Sequence, residues 1–454
     1  MEYKQKVKAL QPQLIADIQA LCSIDSVYDE ATVQPGSPFG AGCRRALDAM
    51  LALGRADGFV THDVDGYAGD IEVGSGEEGI CILGHLDVVP VQPENWQSPP
   101  FAPEIRGGKL YGRGTSDDKG PLLAAYHAAK LYHALHPEQT KKIRVIFGCN
   151  EERGSSCVRY YFTKMPACRL GFTPDAEFPV IYGEKGTCGI VLHGRQEEGA
   201  LLSLNGGTVA NVVAQQCTAM LRGEPAQYAE SWAAFQAAHP NIRGQWAAKG
   251  ENCTLSVFGQ AAHASTPQLG VNAVAAMAAY LQQVTPNPLC ALIVEKLSDT
   301  AGGQLGIAAE GQLGALTMNL GIAKFQDGAW ELTLDLRIPH EVEADKLAET
   351  VRTEAEPYGA SLEYHAGRAL ILDRQSKLIR ALDAAYREEA PEGGEPQAIG
   401  GGTYAKAAEN CAAFGPAFPG EDTHIHDCDE FMDLESLERA TAIYYRAIEL
   451  LMAD

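Results

Sequence analysis

The chain has 454 residues, with 36 Lys and Arg against 59 Asp and Glu, a formal charge of −23, and 46% hydrophobic against 21% charged residues. That is the composition of a folded globular protein, long enough for two or three domains that need no disulfide staples, and too poor in cations to capture nucleic acid or an anionic membrane. No apolar run approaches the roughly 18 residues of a membrane span, and the 12 cysteines form no C-x-x-C pair, so they read as free thiols of a reducing compartment.

In chain order, residues 1–6 lack the apolar core and cleavage site of a secretory signal and run into a helical pattern at Val7, Leu10, Leu14, Ile18 and Leu21. The expected location is the cytoplasm. Apolar runs of strand length (Gly79 to Gly84, Ile143 to Gly148, Pro179 to Tyr182) then alternate with helical patterns such as Pro121 to Leu135, which carries Leu122, Ala125, Ala129 and Tyr132 on one face. This alternation predicts an α/β sheet with helices on both faces. Polar clusters follow the strands directly, His85 and Asp87 first and Asn150 to Glu152 next. Open α/β sheets place their active sites there, beyond the carboxyl ends of the strands.

From about Glu184 to Asp373 the pattern changes. Gly314 to Phe325 and Ala329 to Ile338 predict a β-hairpin across Asp327-Gly328. In its second strand Trp330, Leu332, Leu334, Leu336 and Ile338 alternate with Glu331, Thr333, Asp335 and Arg337, the signature of an antiparallel sheet with one open face. A helix at Asn272 to Gln282 is expected to cover the other face. The last 70 residues return to the first style and end in a helix carrying Leu437, Ala440, Tyr444, Ile448 and Leu451. The expected organisation is one domain, 1–184 and 386–454, interrupted by an α+β lid, 185–385.

Divalent-metal ligands concentrate in five segments: Gly84 to Pro90 with His85 and Asp87, Gly114 to Gly120 with Asp117 and Asp118, Asn150 to Gly154 with Glu151 and Glu152, Thr173 to Asp175, and His424 to Glu430 with His426. Together and in this order they resemble the co-catalytic zinc metallopeptidases of the aminoacylase and carboxypeptidase G type, most closely the peptidase V-like dipeptidases. The resemblance covers nearly the whole chain, and Gly400-Gly401-Gly402-Thr403-Tyr404-Ala405 supports the dipeptidase branch. It implies a catalytic α/β domain with a mixed central sheet, two bound divalent ions, zinc first with manganese or cobalt sharing the ligands, dipeptide substrates and a monomeric chain.

Two cations about 3.5 to 4 Å apart need a carboxylate between them. By resemblance Asp117 is that bridge. Asp117 and Asp175 with one His would hold one ion, and Asp117, Glu152 and the other His its partner, the histidines being His85 and His426. The spacing His426, Asp429, Glu430 fits the family motif better than one starting at His424. Asp87, two residues after His85, can accept from the non-ligating ring nitrogen if the strand continues. Glu151 is implied as general base beside the ligand Glu152, the reverse assignment being the alternative. His263, in Gly259 to Ser265, resembles the lid histidine that bonds the oxyanion. Arg337 is implied to hold the substrate's free C-terminal carboxylate, with Asn211 nearby and the backbone of Gly401, Gly402 and Thr403 assisting; otherwise it is a strand-face arginine paired with Glu331 or Asp335. The expected activity is dipeptide hydrolysis, the alternative an aminoacylase or other N-acyl amino acid amidohydrolase using the same metals.

Overall fold

Strands Glu77–His85 and Lys141–Gly148 are buried continuously from Ile80 and Ile143 onward, as strands covered on both faces must be. The computed structural model describes residues 2–197, 199–390 and 393–453. The two strands pair in parallel, and Gly171–Thr173 and Cys411–Ala413 continue the parallel side. On the other flank Ala68–Val73 and then Val60–Val64 add antiparallel strands, so the sheet is mixed. Helix Lys119–Leu135 is buried at every position from Lys119 to Ala129, the mark of a helix enclosed by its neighbours. Helices Glu2–Cys22 and Leu434–Met452 pack on it. The first buries Val7, Leu14, Ile18 and Leu21. The second starts where Asp433 accepts the N–H groups of Glu435 and Ser436, a side-chain cap.

By internal contacts the chain divides into two units: Met1–Gly183, Leu372–Gln397 and Gly402–Asp454 in the first, Glu184–Ile371 and Ala398–Gly401 in the second. The return to the first unit thus falls at Leu372 and not at residue 386. The cause is helix Lys377–Glu389, whose buried Leu378, Ile379, Leu382, Ala385 and Tyr386 pack with helix Leu434–Met452. The strip Ala398–Gly401 belongs to the second unit, a detail no periodicity carries.

The second unit is an eight-stranded sheet in the order Arg243–Lys249, Asn252–Phe258, Gln216–Arg222, Leu201–Gly206, Thr317–Gln326, Ala329–Ile338, Gly186–Arg195, Ser361–Gly367. Every pairing in it is antiparallel. The hairpin turns at Asp327 and Gly328, whose φ angles of 53° and 74° are those of a two-residue turn. Its first strand begins at Thr317, later than expected, because Gly314–Ala315 pairs with Glu310–Gly311 instead. A register shift between Leu320 and Ile322 marks a bulge at Gly321, where a Cβ would lie 2.3 Å from the Ala210 carbonyl. Only glycine lets the Ala210 to Val212 segment come that close. Helix Ala273–Val284 packs Val274, Met277, Ala278 and Leu281 into the core behind the sheet.

Among the described residues no helix is long and apolar enough to cross a membrane. Among the described residues no cysteine is in a disulfide, and of the 12 only Cys428 is not buried.

Asn272 caps helix Ala273–Val284 by accepting from Val274 and Ala275 N–H, and its amide donates to the Leu320 carbonyl at 2.8 Å. Asn272→Ala should therefore cost about 1 to 2 kcal/mol of stability, read as a lower denaturant midpoint in the transition of this unit.

Candidate active site

The first unit brings five of the predicted side chains together at the ends of its strands. His85 is the last residue of its strand, with Nε2 2.9 Å from Asp117 Oδ1 and 3.7 Å from Asp175 Oδ2. On the other side of the same carboxylate, His426 Nε2 lies 2.8 Å from Asp117 Oδ2 and 3.2 Å from Glu152 Oε1. Each oxygen of Asp117 thus faces one imidazole, and each imidazole faces one further carboxylate. His85, Glu151 and Asp175 also group, their ligating atoms all lying within 4.8 Å of one another. His424 points elsewhere: its Nδ1 meets the Cys428 carbonyl at 3.2 Å and its ring stands edge-on to Phe431. Positive φ angles at His424, His426 and Asp429 give this loop its sharp bends.

The charges are crowded. Burial would raise Asp117, but hydrogen bonds from His426 and His85 hold it well below the usual carboxylate range. Burial lifts Asp175 to about 7 against the pull of His85, with Asp117 and Glu152 adding to the rise. Glu151 is also pushed up, by burial first and Asp175 next. His426, although burial works against its charge, is raised to about 11 because Asp117 and Glu152 accept from it. Two imidazoles and several carboxylates around a central two-faced Asp are a nitrogen and oxygen donor set that fits two divalent ions.

The supporting residues are mostly acids. Asp87 departs from expectation: His85 Nδ1 meets its main-chain carbonyl at 2.9 Å, while the Asp87 carboxylate oxygen is 3.6 Å away. The strand ends at His85, so its alternation does not extend to Asp87. The freed carboxylate accepts the N–H groups of Glu151 at 3.0 Å and Glu152 at 3.2 Å. Asp118, fully buried, accepts the His85 N–H at 3.0 Å, and Gly84 makes room for it, since a Cβ there would lie 2.5 Å from Asp118 Oδ2.

The chain matches the profile of Peptidase family M20/M25/M40 over residues 81–450. It belongs to that family. It is 33% identical over 462 residues to "Putative dipeptidase YtjP" of Bacillus subtilis (strain 168), covering 99% of each chain. A Staphylococcus epidermidis (strain ATCC 12228 / FDA PCI 1200) protein described as a dipeptidase in the same terms is 33% identical over 471 residues and is covered in full, as is this chain. Among solved structures, human carnosine dipeptidase 1 matches with a TM-score of 0.62 at 15% identity, over 99% of this chain and 98% of that one. The dipeptidase Dug1p of Saccharomyces cerevisiae matches with 0.61 at 14%, over 99% and 98%. At these identities the structural likenesses establish the fold, an M20 catalytic sheet with an inserted antiparallel domain.

In the second unit of this M20 peptidase, Val212 and His263 form an isolated antiparallel bridge, flanked by Ala264 N–H to Asn211 O and Val213 N–H to Ala262 O, both at 2.9 Å. Thr317 Oγ1 donates to Ala264 O, and Asn319 Nδ2 donates to Ala210 O and Val212 O. The two loops are thus fixed to the strand beneath them. His263 Nδ1 lies 2.7 Å from Ser265 Oγ and accepts the Ser265 backbone N–H at 3.3 Å. A backbone N–H can only donate, so the neutral ring carries its proton on Nε2. Arg337 is buried, bonded to Asp335 and to the Gly400 carbonyl. Gly401 falls in the second unit, Gly402 and Thr403 in the first. Thr403 Oγ1 caps the short turn Tyr404–Ala407 by accepting from Ala405 N–H at 3.1 Å.

Motif spacing gave Glu430, like Asp118, no task. Glu430 is fully buried, pairs with Arg113 at 2.5 Å, and accepts backbone N–H groups from Gly114, Ser116 and Asp117 at 3.1, 2.9 and 3.3 Å. One carboxylate therefore shapes the loop that presents Asp117. Glu430→Gln leaves Arg113 buried without its counter-charge, so stability should fall by about 3 to 5 kcal/mol, measured by denaturant unfolding of the purified variant.

Proposed function

We propose that the protein is a metal-dependent dipeptidase that hydrolyses the peptide bond of dipeptides with a free C-terminal carboxylate. The observation that carries this reading is Asp117, one oxygen of which faces His85 and the other His426, with Asp175 beside His85 and Glu152 beside His426. The names of the bacterial relatives, similar over the full chain, support the substrate class. The proposed ligands are His85, Asp117 and Asp175 for one ion and Asp117, Glu152 and His426 for its partner, with zinc as the first candidate and manganese or cobalt suited to the same donors. Bound there, the ions would supply the Lewis acidity that makes water a nucleophile near neutral pH and polarises the scissile carbonyl.

The remaining work falls to side chains. Glu151 takes a proton from the attacking water and returns it to the leaving amine, so the carboxylate ends as it began. Its main chain is fixed by Asp87, and because neighbouring side chains point in different directions, Glu152 can ligate while Glu151 faces substrate. His263 donates from Nε2 to the oxygen of the tetrahedral intermediate, the tautomer that its contact with Ser265 N–H favours. Arg337, with Asn211 and the backbone of Gly401 to Thr403, holds the substrate's carboxylate. A chain clamped at its C-terminus presents the bond one residue away, which is the one peptide bond a dipeptide has.

Assayed with added zinc or manganese, the purified protein should cleave members of a dipeptide panel, lose that activity to a chelator and regain it with metal. Full activity after chelation, or cleavage of N-acetyl amino acids with little dipeptide hydrolysis, would overturn the reading. Glu151→Gln keeps shape and removes the proton acceptor, so kcat should fall by about 10² to 10⁴-fold with metal content retained. The same pattern in Glu152→Gln, with metal loss in Glu151→Gln, would exchange the two roles.

A further inference from the structure

Resting on the carboxylate-clamp reading of Arg337, we propose that Asp335 is the positioning residue that sets this arginine for its substrate and so determines the preference for free-acid dipeptides. Asp335 and Arg337 are two apart on strand Ala329–Ile338 and project from the same face. Asp335 takes the side edge of the guanidinium at two points, Nε to Oδ1 at 2.6 Å and Nη2 to Oδ2 at 3.1 Å. Nη1 donates to the Gly400 carbonyl at 3.1 Å. A guanidinium has five N–H donors in one plane. Three are engaged by these contacts, which fix that plane, and two are left, one on each terminal nitrogen. They are enough for one more carboxylate.

The surroundings hold Asp335 to this task. Across the sheet Asp335 is opposite Asn319 and Gly189, and Arg337 is opposite Thr317 and Thr187. Asn319 and Thr317 are committed to the carbonyls of the Asn211 and His263 loops. Gly189 brings no side chain of its own, and the space over it is taken by the His365 ring, 2.2 Å from where a Cβ would lie. The Gly400 carbonyl that takes the third contact sits on a glycine that Ser265 presses, since a Cβ at Gly400 would lie 2.4 Å from Ser265 Cβ. The arginine is therefore pre-oriented before any ligand arrives, and a fork already fixed gives up less rotamer freedom on binding. A pinned pair of donors also discriminates by geometry: a carboxylate accepts from both, whereas a C-terminal amide offers one acceptor oxygen and a mismatched NH₂.

Kinetics on the best-cleaved dipeptide of a panel and on its C-terminal amide test this, using the metal-loaded full chain. Asp335→Asn should raise KM for the acid about tenfold with a smaller change in kcat, lowering the acid-over-amide preference in kcat/KM by the same factor. In an Arg337→Ala background the further substitution should change that preference no more, because Asp335 acts through Arg337. Should Asp335→Asn fail to fold, Asp335→Glu, which keeps the charge and shifts it by one methylene, must show the reduced preference. An unchanged or increased preference in these variants overturns the proposal, making Asp335 a mere counter-charge or an occupant that substrate displaces. So does an equal loss in the Arg337→Ala background. If Arg337→Ala itself keeps the wild-type acid preference, the clamp reading fails and this inference with it, an outcome distinct from a preference that depends on Arg337 but ignores Asp335.

Discussion

Mutual repulsion among crowded carboxylates is the constraint on which the first unit depends. Asp117, Asp175, Glu151 and Glu152 gather around two imidazoles, where burial first and the neighbouring carboxylates next lift Asp175 to about 7, while hydrogen bonds from the imidazoles hold Asp117 low. Left to itself such an assembly would swing its carboxylates out to water. It stays together because backbone groups and other buried charges hold its members by their main chains: Asp87 by the N–H groups of Glu151 and Glu152, Asp118 by that of His85, Glu430 by those of Gly114, Ser116 and Asp117. Each support is itself an acid, so positioning adds further negative charge at the strand ends. Arg113 offsets Glu430 alone. A donor set held this rigidly and this short of positive charge is what a pair of divalent cations requires.

The second unit uses the same device with neutral groups. Its polar sheet face carries Thr187, Thr317, Asn319, Asp335 and Arg337 side by side. Thr317 and Asn319 hold loops by accepting no charge, only by donating to carbonyls. The loops can come near enough because Gly321 has no side chain against Ala210. A polar strand face, which periodicity alone marks as solvent-exposed, is here a platform on which Asn211 and His263 are seated.

These features explain what could be read in advance. Of the proposed ligands, His85 follows the apolar run Ile80 to Leu83, Glu152 follows Ile143 to Gly148 and Asp175 follows Gly171–Thr173, whereas Asp117 and His426 follow no such run and were legible only through the resemblance of their segments. The hairpin was legible in Asp327-Gly328 because two consecutive positive φ angles need those residue types. The partners that fix the ligands were not, because a carboxylate accepting N–H groups from a distant loop leaves no period in the sequence. Glu430 reaches a loop more than 300 positions earlier. The place of Asp87 failed for a related reason: alternation predicts a direction only while the strand lasts, and here it ends two residues too soon. The return at Leu372 was hidden because the helix that enforces it, Lys377–Glu389, is amphipathic like those of either unit, and only its packing partner assigns it.

Arg337 joins the two kinds of argument. On sequence grounds an arginine on the polar face of a strand could serve a ligand or a neighbouring acid, and the two uses looked exclusive. The geometry makes them compatible, because Asp335 occupies one edge of the fork and leaves donors on both terminal nitrogens. The internal carboxylate offsets the charge that makes a buried arginine costly and simultaneously fixes its plane. An acid beside a cation is therefore poor evidence against a binding role for that cation, and what decides is how many of its donors the acid has taken.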